Sequence, residues 1–126
     1  MKARLAKLVF GALLAAAPSA VLAHHSFAMF DNQKTVTLEG TVVEFQWTNP
    51  HVWIELRVRQ PNNNSDAEWS IEGGSAASLA RQGWRRGALK PGDRASVTIH
   101  PLKDGTNGGL LVAVTVNGQQ VGAMPG

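Results

Sequence analysis

The sequence predicts a mainly β domain, a five-stranded barrel of Greek-key type with one short helix between its third and fourth strands. Three observations lead to this prediction. Apolar and polar residues alternate over separate short segments, which is typical of half-buried strands. The first of these segments is long, and its alternation slips once. Only one stretch, placed after the third segment, has the composition and caps of a helix.

The first two strands carry the clearest pattern. The first begins at Lys34, and its alternation slips at Val42-Val43, which together with Gly40 predicts a β-bulge or a sharp coil. Thr48-Asn49-Pro50 ends this strand, because proline cannot donate to a ladder. In the second strand Val52, Ile54, Leu56 and Val58 point inward, and the outward set is His51, Trp53, Glu55, Arg57 and Arg59.

The remaining elements follow in order. A polar loop leads to a short third strand over 68–71, and Ser75 and Gly83 are the expected caps of a helix of about two turns. A fourth strand over 94–100 and a fifth over 110–116 come next, and Asn117-Gly118 predicts a closing hairpin. This order matches the OB-fold, and a β-sandwich with an embedded helix is the alternative.

The first 23 residues have the pattern of a cleaved signal peptide. Lys2, Arg4 and Lys7 give a positive start, and the apolar run over 8–17 is too short to span a bilayer. Val21 and Ala23 supply the small residues that signal peptidase accepts before its cut. We therefore expect export to the periplasm, no stable membrane insertion, and a single OB-like domain over 24–126.

Charge and composition exclude several classes of function. The predicted signal peptide holds three of the 12 Lys and Arg residues, so the remaining nine balance the nine Asp and Glu residues. A neutral mature chain gives no basis for nucleic-acid binding. The chain has no cysteine, no nucleophile elbow and no phosphate-binding glycine loop. These absences predict a binding protein rather than an enzyme.

The start of the mature chain is the first candidate for chemistry. Cleavage after Ala23 makes His24 the N-terminal residue, and its α-amine and imidazole can then close a six-membered chelate. Nitrogen donors of this kind favour Cu(II) over the other late divalent metals. His25 offers a second mode of binding, through its amide nitrogen and its ring. Cleavage one residue earlier would leave Ala-His-His, which is also a copper-binding terminus.

His51 and His100 are the candidates to complete a copper site. Each stands at a strand end beside a proline, Pro50 or Pro101, where rigid backbone positions a side chain. Since metal–nitrogen bonds are only about 2 Å long, we expect the two imidazoles to lie within about 10 Å of each other if both bind one ion. The competing interpretation is that each imidazole bonds a loop carbonyl. Met29 is expected to pack in the core.

Tryptophan supports a second class of function. Trp53 lies on the outward face of the second strand, and Trp47 is a candidate for the same face. Exposed tryptophans on an OB-type face are typical of ligand stacking. The alternative function is therefore a metal-free binding or assembly module for a glycan, a peptide or a periplasmic protein partner. Burial of these rings in the core or over a barrel end is the competing interpretation.

Six short stretches carry a resemblance to a known family. They are AHHSF at 23–27, TLEGTV at 37–42, TNPH at 48–51, GW at 83–84, KPGD at 90–93 and HPL at 100–102. On these stretches the chain resembles a family of small, uncharacterised secreted proteins of Gram-negative bacteria. The resemblance implies export and places the four histidines in one pattern, but it implies no activity. The predicted N-terminal histidine is also similar to that of periplasmic copper carriers and copper-dependent oxygenases.

Overall fold

One sheet curls round until its third and fifth strands meet, and this closes a five-stranded barrel. The structure is a computed structural model that describes residues 27–62 and 64–122. The predicted signal peptide over 1–23, His24 and His25 lie outside the described residues. The elements in chain order are β1 Val36–Gln46, β2 Trp53–Arg59, β3 Asp66–Glu72, α1 Ala76–Arg81, β4 Arg94–Pro101, β5 Gly108–Val116 and β6 Gln119–Gln120.

The strand pairings are those of a Greek-key barrel. β1 lies between β2 and β4, β2 also pairs with β3, and β4 also pairs with β5, all in antiparallel fashion. β3 then pairs with β5 in parallel, over 70–72 and 108–110, and this pairing closes the barrel. Because α1 lies between β3 and β4, the architecture is OB-like, and the predicted fold class is confirmed.

β1 contains the irregularity that its slipped alternation predicts. Its register against β2 shifts between Val42 and Glu44, which makes Val43 the extra residue of a bulge. The turn before β4 forms backbone hydrogen bonds with β1 at the same position, on the side away from β2. Val42 N–H donates to the carbonyl of Asp93 at 2.9 Å, and Gly92 N–H donates to the carbonyl of Val42 at 2.8 Å. The bulge therefore lies where β1 passes from one partner strand to the other.

The alternating apolar residues build the core as expected. Ile54 and Leu56 of β2 are fully buried, as are Val97 and Ile99 of β4. Ala76 and Leu79 of α1, together with Trp84 after the helix, join the same cluster. The opposite side of β2 and β3 is the outer face of the barrel, and it carries the polar residues discussed below.

Helix α1 begins with the predicted cap. Ser75 is the N-cap, and its Oγ accepts a hydrogen bond from Ser78 N–H at 3.0 Å. The helix ends one residue before the expected position, with Gln82 as C-cap and Gly83 as the following residue at a φ of +89°. Glycine adopts this left-handed conformation without steric cost.

We expect Ser75→Ala to destabilise the protein by about 1 kcal/mol, because it removes the acceptor for an N–H at the start of the helix. Urea denaturation of the two proteins measures the difference. An unchanged midpoint would show that the cap contributes nothing to the stability of the domain.

The last hairpin also follows its sequence pattern. Asn117 and Gly118 both have positive φ, 51° and 79°, as a two-residue turn of type I′ requires. The turn leads into β6, which pairs with the end of β5. Among the described residues, no helix has the length and apolar character needed to cross a membrane.

Candidate functional site

His51 and Glu72 form a polar pair on the outer face of the barrel. His51 lies just before β2, and Glu72 is the last residue of β3, directly opposite Trp53. His51 Nδ1 lies 3.3 Å from Glu72 Oε1 and 3.2 Å from the carbonyl oxygen of Gly73. The hydrogen bond of Nδ1 is the one to the Gly73 carbonyl, and the contact with Glu72 is an ion pair when the imidazole is protonated.

Glu72 is buried, although it lies on the outer face. Only 6% of the residue is exposed, whereas the side chain of Glu68 on the same face of β3 is 65% exposed. The cover comes from the segment before β1, which runs along the end of β4. Asp31 N–H donates to the carbonyl of Pro101 at 2.8 Å, and Lys103 N–H donates to the carbonyl of Met29 at 2.9 Å. This segment thus folds back over the sheet.

The fold-back leaves a small cavity over the outer face, which we call the Glu72 groove. Its volume is about 140 Å³. Phe30 and Leu102, joined by an isolated bridge, form part of its wall. The lining residues are Met29, Phe30, Trp53, Ser70, Glu72, Leu102, Asn107, Gly108 and Gly109. The groove is therefore apolar apart from one buried carboxylate and a few uncharged polar groups.

His100 lies on the same outer face but apart from the His51–Glu72 pair. The register places Trp53, Glu72, Leu110 and His100 in one row across four strands. Two inter-strand spacings separate His100 from Glu72 in this row, which amounts to roughly 10 Å along the sheet. His100 Nδ1 lies 2.7 Å from the carbonyl oxygen of Lys34. In the part of the chain that the structure describes, His51 thus contacts Glu72, whereas His100 contacts the backbone of Lys34.

Both imidazoles are held in the same way. A carbonyl oxygen can only accept a hydrogen bond, so Nδ1 of His51 and of His100 is the donor in each contact. In the neutral ring this leaves the lone pair on Nε2, the arrangement found in most metal-binding histidines. The carbonyl contacts expected under the competing interpretation are therefore present, and they leave each ring with a free ligand atom.

The described residues do not form a complete metal site by themselves. Across 27–62 and 64–122, no group of three or more His, Asp or Glu side chains is arranged to hold a metal ion. His51 with Glu72 supplies one imidazole and its supporting carboxylate. Further ligands would have to come from residues outside the described ranges, among which are His24 and His25.

The other candidate residues are placed as follows. The prediction that Met29 packs in the core is wrong, since the residue is 45% exposed, whereas the neighbouring Phe30 is 3% exposed and lines the Glu72 groove. Trp53 is half-buried and lines the Glu72 groove. Trp47 packs against the core, with its ring edge-on to Phe45 at 5.9 Å between centroids. The two tryptophans therefore lie on opposite sides of the sheet.

Sequence reasoning missed Glu72 as a member of the site. The alternation of β3 places it outward with Glu68 and Ser70, which predicts an exposed side chain. The one sequence feature that points to it is its position across from the outward Trp53, and this is visible only once the register of β2 and β3 is known.

Comparison with known proteins identifies a family for the chain. The profile of a family of unknown function, DUF6152, matches residues 12–113. The matched range contains all four histidines and Glu72. No curated protein and no solved structure matches the chain. The chain thus belongs to the DUF6152 family of unknown function, which agrees with its resemblance to an uncharacterised family of small proteins.

Proposed function

We propose that this protein is exported to the periplasm of Gram-negative bacteria and there binds Cu(II), which it carries or buffers. The proposed ligands are the free N-terminal His24 and His51, with His25 and His100 as additional candidates. The observation that carries the proposal is the contact of His51 Nδ1 with Glu72 Oε1 at 3.3 Å. A carboxylate behind an imidazole orients the ring and increases its basicity as a metal ligand.

The path of the chain supports a partnership between His24 and His51. The Phe30 N–H donates to the carbonyl of Phe27, and Met29 and Phe30 both line the Glu72 groove. His24 precedes Phe27 by three residues, which span up to about 10 Å when extended. Because Glu72 in the same groove contacts His51, we propose that the chain before Phe27 brings the His24 nitrogens to this imidazole.

The chemistry of these donors favours copper. An amine and two or three imidazoles make a nitrogen-rich set without thiolate, and affinity for such sets is highest for Cu(II) in the series of late divalent metals. The binding surface is an exposed edge of the barrel rather than an enclosed pocket, since His51 itself keeps about a third of its side chain exposed. Such a site suits uptake and release of an ion better than catalysis.

Titration of the mature protein, residues 24–126, with Cu(II) tests the proposal. We expect one tight site, and we expect His51→Ala to weaken it by about 100-fold because a carboxylate-supported ligand is lost. Glu68→Ala, which removes an exposed side chain from the same face of the barrel, is the control and should change the affinity by less than about threefold. His100→Ala shows whether His100 is a further ligand. Equal affinities of His51→Ala and the unaltered protein would contradict the proposal.

A further inference from the structure

The Glu72 groove contains one buried carboxylate and no cationic side chain among its lining residues in the described part of the chain. Glu72 is 94% buried, and its one partner among the described residues is His51. Ser70, a hydroxyl in the same groove, donates its hydrogen to Glu55 Oε1 at 2.7 Å and is therefore engaged elsewhere. A carboxylate offers about four acceptor positions, and burying it among apolar side chains is costly unless cations or donors surround it.

The walls of the groove restrict what can approach this carboxylate. Met29, Phe30 and Leu102 are apolar, and Trp53 presents an indole ring. The groove is tightly packed at Gly108. A Cβ there would lie 2.7 Å from Leu102 Cδ1 and 3.1 Å from the carbonyl oxygen of Ser70, so this position has no room for a side chain. The groove thus combines a carboxylate, an aromatic ring and apolar walls, with no cationic side chain among its lining residues in the described ranges.

We infer that the Glu72 groove binds a small organic cation, an alkylammonium or methylated ammonium group. The nitrogen would lie against the Glu72 carboxylate, and its methyl or methylene groups would contact Trp53 and the apolar walls. An indole face attracts such cations through its quadrupole. The cavity of about 140 Å³ has room for a head group of about five heavy atoms, given that a water molecule occupies roughly 30 Å³.

This site shares Glu72 with the proposed copper site, where the carboxylate lies behind His51, but the atoms that bind the ligand differ. It uses the carboxylate and the indole ring, whereas copper binding uses nitrogen atoms of His24 and His51. The same ammonium chemistry has two sources, a free small molecule or the lysine side chain of another protein. The two can be separated by the probes chosen.

The experiment is an NMR titration of the mature chain in the presence of a metal chelator, following the indole N–H of Trp53. The probes are choline, its neutral isostere 3,3-dimethyl-1-butanol, and Nα-acetyl-lysine amide. We expect a saturable shift with a cationic probe at a Kd of about 1 mM. The isostere should bind at least about tenfold more weakly. Tighter binding of choline indicates a free cation, and tighter binding of the lysine derivative indicates a protein side chain.

Two variants locate the charge that is responsible. Glu72→Gln should reduce cation binding to the level of the isostere, whereas Glu68→Gln, on the same face of β3 but exposed, should leave it unchanged. Equal binding of choline and the isostere, or no saturable shift with either cation, would overturn the inference. This comparison uses the unaltered protein, so it decides the question even if Glu72→Gln does not fold. Since the chelator removes copper, the result is separate from the fate of the copper proposal.

Discussion

Adding the three residues Gly-Pro-Gly in front of His24 should weaken Cu(II) binding by about 100-fold, equivalent to about 2.7 kcal/mol. A single added residue would not test this, because it leaves a terminus of the Xaa-His-His type, which also binds copper. The extension converts the α-amine of His24 into an amide nitrogen, which carries no free lone pair for the metal. It thereby breaks the chelate between that amine and the imidazole. All side chains, including the His51–Glu72 pair, remain in place. The affinity difference therefore measures the contribution of the free N-terminus alone, and a competition titration with a copper chelator of known affinity determines it.

The matched control carries the same three residues after Gly126, where they should leave the affinity unchanged. Protons compete with Cu(II) for amine and imidazole nitrogens, so binding to the mature chain should also weaken as the pH falls. The intact mass of protein recovered from the periplasm gives the true start of the chain. Retention of residues 1–23, or equal Cu(II) affinities with and without the N-terminal extension, would exclude a terminal chelate.

The fold could be predicted because it depends on local patterns. Ile54 and Leu56 alternate with Trp53 and Glu55, and this period fixes which side of β2 faces the core. The slip at Val42-Val43 predicted a bulge without any knowledge of its partners. The Asn117-Gly118 pair favours a tight turn because both residues adopt positive φ. In each case the information lies within a few adjacent residues.

The site could not be predicted in the same way, because it depends on contacts between distant parts of the chain. Glu72 is buried by Met29 and Phe30, more than forty residues before it, and by Leu102, thirty residues after it. The alternation of β3 contains no information about these covering residues, and it therefore predicts an exposed carboxylate. The prediction that Met29 is buried was wrong for a related reason. Of Phe27, Met29 and Phe30 in the segment before β1, only Phe30 is buried, and packing rather than composition decides which one.

Gly40→Ala should destabilise the protein by about 3 kcal/mol, because β1 is paired on both sides at this point. Gly40 is opposite Val58 on β2 and Ala95 on β4. A Cβ at Gly40 would lie 2.5 Å from the carbonyl oxygen of Arg57 and 2.9 Å from Leu56 Cγ. A backbone carbonyl cannot rotate away as a side chain can, and β3 holds β2 from its other side. The steric clash at the Gly40 position can therefore be relieved only if β1 and β2 move apart.

Gly87→Ala is the control, since a Cβ there meets no atom of the described residues within 4 Å, and it should change the stability by less than about 0.5 kcal/mol. Urea denaturation compares the two variants. A loss at Gly40 no larger than that at Gly87 would show that β1 and β2 adjust without cost. Gly40 pairs at the far end of β2 from His51. The folded fraction of Gly40→Ala should thus bind Cu(II) as tightly as the unaltered protein, which separates the stability of the barrel from the chemistry at its edge.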